Sequence, residues 1–160
     1  MSLCLADEDR KGTNMIYTEQ TKKALKLCFK AHKNQTDKSG MPYVFHPFHL
    51  AEQMTDELTT IVALLHDVAE DNKKYPLKKL RKMGFPSEVI EALTLLTHKK
   101  TVPYMEYVAR IKQNPISTAV KLADLRHNSD LTRLDNPSDK DLARVEKYRK
   151  AIRLLEEIDA

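Results

Sequence analysis

The chain has 160 residues, 41% of them hydrophobic and 31% charged, the size and balance of one folded globular domain rather than a disordered or fibrous chain. Lys and Arg number 27 against 23 Asp and Glu, a net charge of +4 that suits an anionic ligand and falls short of a dedicated nucleic-acid binder. No apolar run approaches the roughly 18 residues a membrane span requires, and residues 6–11 mix acidic and basic side chains where a secretory signal would run from charge to apolar residues. A cytoplasmic address without membrane attachment is therefore the default expectation. Cys4 and Cys28 fit neither a Cys-x-x-Cys pair nor a disulfide framework, and reduced thiols are the simpler reading.

Only three glycines occur and strand-like alternation is scarce, whereas apolar residues recur at three- and four-residue spacing, which predicts an all-α single domain. Residues 1–13 read as an N-terminal tail that can be flexible, and 14–160 as the domain. Thr18 caps a first helix carrying Ala24, Leu25, Cys28 and Ala31, and 33–40 is a polar loop. Pro47 at a first helical position opens a second helix that runs to about Glu57. A third spans roughly Thr59 to Glu70. A short helix from Pro76 stops at Gly84, a left-handed cap, and Ser87 caps the next one to about Thr97. Two more cover Pro103 to Gln113 and Ile116 to Leu131. The chain restarts at Ser138 in a long charged helix whose buried stripe is Leu142, Val145, Tyr148, Ile152 and Leu155. The lysine-rich stretch 73–82 reads as a solvated face.

Two helices carry polar residues where the pattern is otherwise oily. In IVALLHDVAED (61–71) residues four apart share a face, so His66 neighbours Glu70 and Asp67 neighbours Asp71. Three carboxylates and an imidazole crowded into about one and a half turns are costly unless a cation or hydrogen-bond partners offset them, and a divalent metal is the economical explanation. In AVKLADLRHNSDL (119–131) Asp124 interrupts an apolar set, with Asn128 one turn later. Taken singly, Asp124 reads as a packing hydrogen-bond acceptor and His46, next to Pro47, as a turn residue.

Taken together the order His46, His66-Asp67, Asp124 resembles the signature of the HD superfamily of metal-dependent phosphohydrolases. GMPYVFHP (40–47), ALLHDVAED (63–71) and KLADLRHN (121–128) look like the three motifs of the hydrolase domain in Rel/Spo-type alarmone enzymes. That domain also occurs alone, as small alarmone hydrolases and metazoan SpoT homologues. The resemblance covers the chain from about Thr18 to the final helix and implies a compact HD-domain helical bundle. It implies His46, His66, Asp67 and Asp124 as metal ligands, with Pro47 fixing the backbone of the first. Mn²⁺ is the metal the family implies, and Fe or Zn also suit these ligand types. Glu70 and Asp71 match a Glu-Asp pair of the hydrolases, Glu70 handling water and Asp71 supporting it.

The activity implied is metal-dependent hydrolysis of guanosine 3′,5′-bis(diphosphate) and related alarmones with release of the 3′-pyrophosphate. Lys38, Tyr43 and Asn128 are the expected substrate contacts, Tyr43 also reading as ordinary core. The family places a basic pair before Ser39-Gly40, and Asp37 departs from it at the first position. A carboxylate there can accept hydrogen bonds from guanine or repel phosphate. Two alternatives stay open: an HD phosphohydrolase acting on another nucleotide or phosphoester, and a catalytically weak module that senses nucleotides or binds a partner. His32, His49, His98 and His127 read as structural, and Lys99 and Lys100 as solvated loop. At this length no synthetase domain is expected beside the hydrolase.

Overall fold

The computed structural model describes residues 14–157, so the tail read over 1–13, including Cys4, lies outside the described residues. Among them are eight helices: α1 (Glu19–His32), α2 (Phe45–Glu52), α3 (Glu57–Asp71), α4 (Leu77–Lys82), α5 (Ser87–Leu96), α6 (Tyr104–Ile111), α7 (Pro115–Asn128) and α8 (Asp139–Glu156). The fold is all-α; the extended pairing among these residues is one bridge between Thr36 and Pro42. None of the described helices is long and apolar enough to cross a membrane.

Helix α3 is the centre of the bundle. Every residue from Thr59 to Val68 is buried, and α1, α2, α5 and α7 all lie against it, which is why its sequence is apolar nearly all round rather than striped. Its N-terminus is fixed by Asp56, whose side chain accepts from the Thr59 N–H at 2.9 Å, satisfying one of the amides that a helix start leaves without a partner. Thr18 with Thr21 and Ser138 with Asp141 close capping boxes on α1 and α8, and Asn114 caps α7. These local devices set the helix starts from which the site residues project.

Several boundaries differ from those the sequence predicts. Helix α2 begins at Phe45, with Val44 as its cap, and ends at Glu52. Pro47 thus sits third in the helix, where its missing N–H is still one that has no helical acceptor, and the Asp56 cap forces a new start before Glu57. Pro86, not Ser87, is the cap residue of α5; the Ser87 hydroxyl donates to Glu88 Oε2 instead. Helix α7 stops at Asn128, and Leu131–Arg133 forms a separate 3₁₀ turn whose N-cap Asp130 accepts from Thr132 N. On α8, Leu142 is 51% exposed, while Ala151 is fully buried; a terminal turn is covered on fewer sides than the middle, and the small Ala151 lets the helix approach closely.

After α4 the chain turns through Gly84 at φ +86, with its N–H on the Arg81 carbonyl at 3.0 Å. An L side chain in that region costs roughly 1–2 kcal/mol. Gly84→Ala is expected to lower the midpoint of urea unfolding accordingly without changing the helix content, and an unchanged midpoint would contradict the left-handed turn. Cys28 is a free, fully buried thiol that desolvation and the nearby Asp67 charge push up to about 12, which makes it a poor nucleophile.

Candidate metal centre

Three elements converge on one point. His46 comes from the first turn of α2, His66 and Asp67 from the middle of α3, and Asp124 from α7; all four are buried. His46 Nε2 lies 3.0 Å from Asp124 Oδ1 and 3.7 Å from Asp67 Oδ2. His66 donates its Nδ1–H to the Ala63 carbonyl at 2.7 Å, which leaves Nε2 facing inward, 3.1 Å from Asp67 Oδ2 and 3.9 Å from Asp124 Oδ1. That Nε2 is buried and makes no hydrogen bond of good geometry. One donor atom each from His46, His66 and Asp67 lie within 4.8 Å of one another, and Asp124 reaches both imidazoles.

Burial alone would protonate both carboxylates, but their neighbours outweigh it. His66 and His46 help hold Asp67 at about 2, and Lys121 with the two imidazoles holds Asp124 well below the usual carboxylate range. Burial pushes His66 down, yet Asp67 and Asp124 push it further up, to about 9. Lys121 follows the same logic: desolvation opposes its charge and Asp124, 2.9 Å away, restores it above the ordinary lysine range. The cluster thus has more negative charge than one buried lysine neutralises, and a proton on His66 makes up the difference. A divalent cation would do so better, since two imidazole nitrogens, one of them the orphaned His66 Nε2, and two carboxylates are the donor set such an ion takes.

The cluster is braced by side chains behind it. The Tyr43 hydroxyl donates to Asp67 Oδ2 at 2.5 Å, Asn128 Nδ2 donates to Asp124 Oδ1 at 2.7 Å, and Lys121 Nζ occupies Asp124 Oδ2. Tyr43 and Asn128, expected as substrate contacts, therefore hold the centre and line the adjacent cleft as well. His127, read from sequence as structural, meets His46 at 2.7 Å, Nδ1 to Nδ1. His32 Nδ1 bonds Gln35 Oε1, while its Nε2 is buried without a partner, so the structural reading of His32 is only half satisfied.

Glu70 and Asp71 stand at the exposed end of α3, one turn beyond the cluster. Glu70 Oε1 accepts from the His98 N–H at 3.2 Å, and Oε2 has no partner among the described residues. Desolvation raises the Glu70 pKa, the His98 N–H opposes this, and Asp67 adds to it; desolvation and Asp67 raise Asp71 likewise.

A cleft of about 270 Å³ opens from His46 and Asn128 and is lined by Lys38, Arg133 and Arg144, cations suited to an anionic occupant. Lys38 is mostly exposed, its Nζ 4.0 Å from Asp141 Oδ1. Asp37, which also lines the cleft, is spent on its own loop. Its Oδ1 accepts from Ser39 N (2.8 Å), Ser39 Oγ (2.6 Å) and Met41 N (3.0 Å), and its Oδ2 from Arg133 Nη2 (3.2 Å). Of the residues that sequence reasoning missed, Lys121 had a signal, three positions before Asp124 in an apolar run. Arg133 had none, because its reach depends on the 3₁₀ turn.

No family model matches the chain. Among curated proteins, it is 35% identical over 136 residues to a guanosine-3′,5′-bis(diphosphate) 3′-pyrophosphohydrolase of Mus musculus, covering 75% of this chain and 74% of that one. It is 29% identical over 154 residues to a protein of the same name from Aquifex aeolicus, covering 90% of this chain and 21% of that one. A GTP pyrophosphokinase of Myxococcus xanthus is 31% identical over 142 residues, 78% of this chain, and the chain spans only 18% of that protein's length.

Proposed function

The chain belongs to the Rel/Spo-type HD hydrolases, and on that premise we propose that it hydrolyses guanosine 3′,5′-bis(diphosphate) and related alarmones with Mn²⁺, releasing the 3′-pyrophosphate. The observation that carries this reading is the buried His66 Nε2 with no hydrogen-bond partner, facing two carboxylates and a second imidazole. His46, His66, Asp67 and Asp124 would hold the cation. When bound, a divalent ion there supplies Lewis acidity, making water a stronger acid and offsetting phosphate charge.

The chain's own residues do the rest. Glu70 Oε1 is anchored by the His98 amide, and Oε2 is the atom we assign to orient a water and take its proton. Water adds to the phosphorus next to the 3′-oxygen as the bond from that oxygen to phosphorus breaks; the departing 3′-oxygen gains a proton, matching the one Glu70 took from the water, and the products are the 5′-diphosphate nucleoside and pyrophosphate. Asp71 keeps negative charge beside Glu70 and supports its basicity. Lys38, Arg133 and Arg144 receive the charged end of the nucleotide along the cleft. Tyr43 fixes Asp67, and Asn128 lines the cleft while its Nδ2 holds Asp124.

Asp37 does not read the base in this account, because its oxygens are committed to Ser39, Met41 and Arg133. Asp37→Asn is expected to raise KM several-fold by loosening Arg133, about 1 kcal/mol of binding, while leaving the preference for guanine over adenine unchanged. A site that reads a base edge through a buried acceptor instead loses discrimination by orders of magnitude when that acceptor goes. Steady-state rates on the guanosine and adenosine 3′,5′-bis(diphosphates), with products identified by ion-exchange chromatography, test both the substrate and this role of Asp37.

A further inference from the structure

We infer that His127 is a positioning residue for the metal centre: its Nδ1 accepts the Nδ1–H of His46 and so reserves the Nε2 lone pair of His46 for the cation. The inference rests on the ligand role proposed for His46. Two ring nitrogens 2.7 Å apart share one proton, one donating and the other accepting. Nε2 of His46 is the nitrogen that faces Asp124 and Asp67. In the metal-free arrangement Nε2 also bonds Asp124 Oδ1, which can only accept; when a cation takes that nitrogen's lone pair the His46 hydrogen is on Nδ1, and the atom then on the receiving end is His127 Nδ1. Fixing a ligand imidazole's tautomer and ring plane through its distal nitrogen strengthens it as a ligand.

His127 is itself held for this task. Its ring lies nearly parallel to that of His46, 11° between planes with centroids 4.9 Å apart, and the His49 ring packs against it at 4.4 Å. Its main-chain carbonyl accepts from Arg133 Nη1 at 3.0 Å, and the other arm of the same guanidinium reaches Asp37 in the loop that borders the cleft. The last turn of α7 therefore braces two proposed ligands from behind, Asn128 holding Asp124 and His127 holding His46. It also ties the centre to the cleft, through Arg133.

The test is calorimetric titration with Mn²⁺ alone, on the purified metal-stripped chain and three variants. His127→Phe keeps a ring between His46 and His49 and removes the acceptor; its affinity for Mn²⁺ is expected to fall about 10- to 100-fold, with the metal-free protein unfolding as the wild type does. His127→Asn places an acceptor oxygen where Nδ1 stood and is expected to recover most of the loss. Wild-type affinity in His127→Phe would overturn the positioning role. So would an Asn variant as weak as the Phe one, which would indicate general packing. Asp124→Ala, run alongside, separates the two levels: wild-type Mn²⁺ affinity in that variant would overturn the metal centre itself and the His127 inference with it.

Discussion

Asp124→Ala loses Mn²⁺ binding and destabilises the metal-free protein as well, the largest combined effect expected of any single replacement in the chain. Asp124 is the meeting point of three buried or half-buried side chains: it receives Lys121 Nζ at 2.9 Å and Asn128 Nδ2 at 2.7 Å and stands 3.0 Å from His46 Nε2. Removing the carboxylate leaves the Lys121 ammonium, with 14% of its side chain exposed, without its partner, and breaking a buried pair from one side costs about 3–5 kcal/mol. Relief of repulsion with Asp67 offsets part of this. Asp124→Asn separates the effects, because the amide still accepts hydrogen bonds and fills the space but has lost the charge. It is expected to be destabilised less than the Ala variant and still bind Mn²⁺ far more weakly. Thermal unfolding of the metal-free proteins and Mn²⁺ titration read the two quantities independently; an Asn variant that binds as tightly as wild type would remove Asp124 from the ligand set.

Glu70→Gln is the second large effect and the opposite in kind. The side chain stands at the open end of α3, so the fold does not depend on it, and Oε1 keeps its bond from the His98 amide when glutamine replaces glutamate. Mn²⁺ and nucleotide affinity are expected to hold, while kcat falls about 10²- to 10⁴-fold with the loss of the base. The pH profile carries a separate signature. Glu70 acts as a base only when ionised; desolvation with Asp67 raises its pKa in the metal-free protein and a bound cation would lower it, so wild-type turnover at saturating Mn²⁺ falls at acid pH as Glu70 takes up a proton. That acid limb should vanish from the residual activity of the Gln variant, and its persistence would assign the base to another group.

The helical fold was legible in the sequence because helix periodicity and caps are local. Thr18 and Ser138 announce α1 and α8 at short range, and Gly84 announces the left-handed turn. Errors fall where two local signals compete: Pro47 reads as a first helical residue but also fits third place, and Ser87 reads as a cap although Pro86 already supplies the extended residue. His66, Asp67 and Asp124 stood out as polar residues inside apolar stretches, whereas His46 and the set of four came from the resemblance of the three motifs. What they touch was not legible. His127 meets His46 across 81 positions, a pairing no spacing rule reports, so a residue that looked structural proves to face a proposed ligand. Asp37 misled in the other direction, since its type suggests a direct effect on base or phosphate, whereas its oxygens close a turn and hold Arg133. Sequence displays the chemistry a side chain can perform but not how much of it the fold has already used.

The most direct test of the central claim is release of pyrophosphate from guanosine 3′,5′-bis(diphosphate) by the purified chain, measured with Mn²⁺ present and with the metal chelated, beside a panel of ordinary nucleotides. The account predicts metal-dependent release from the alarmone in preference to every other member of the panel. Turnover of another nucleotide in its place, or no turnover by a chain shown to be folded and loaded with Mn²⁺, would contradict it.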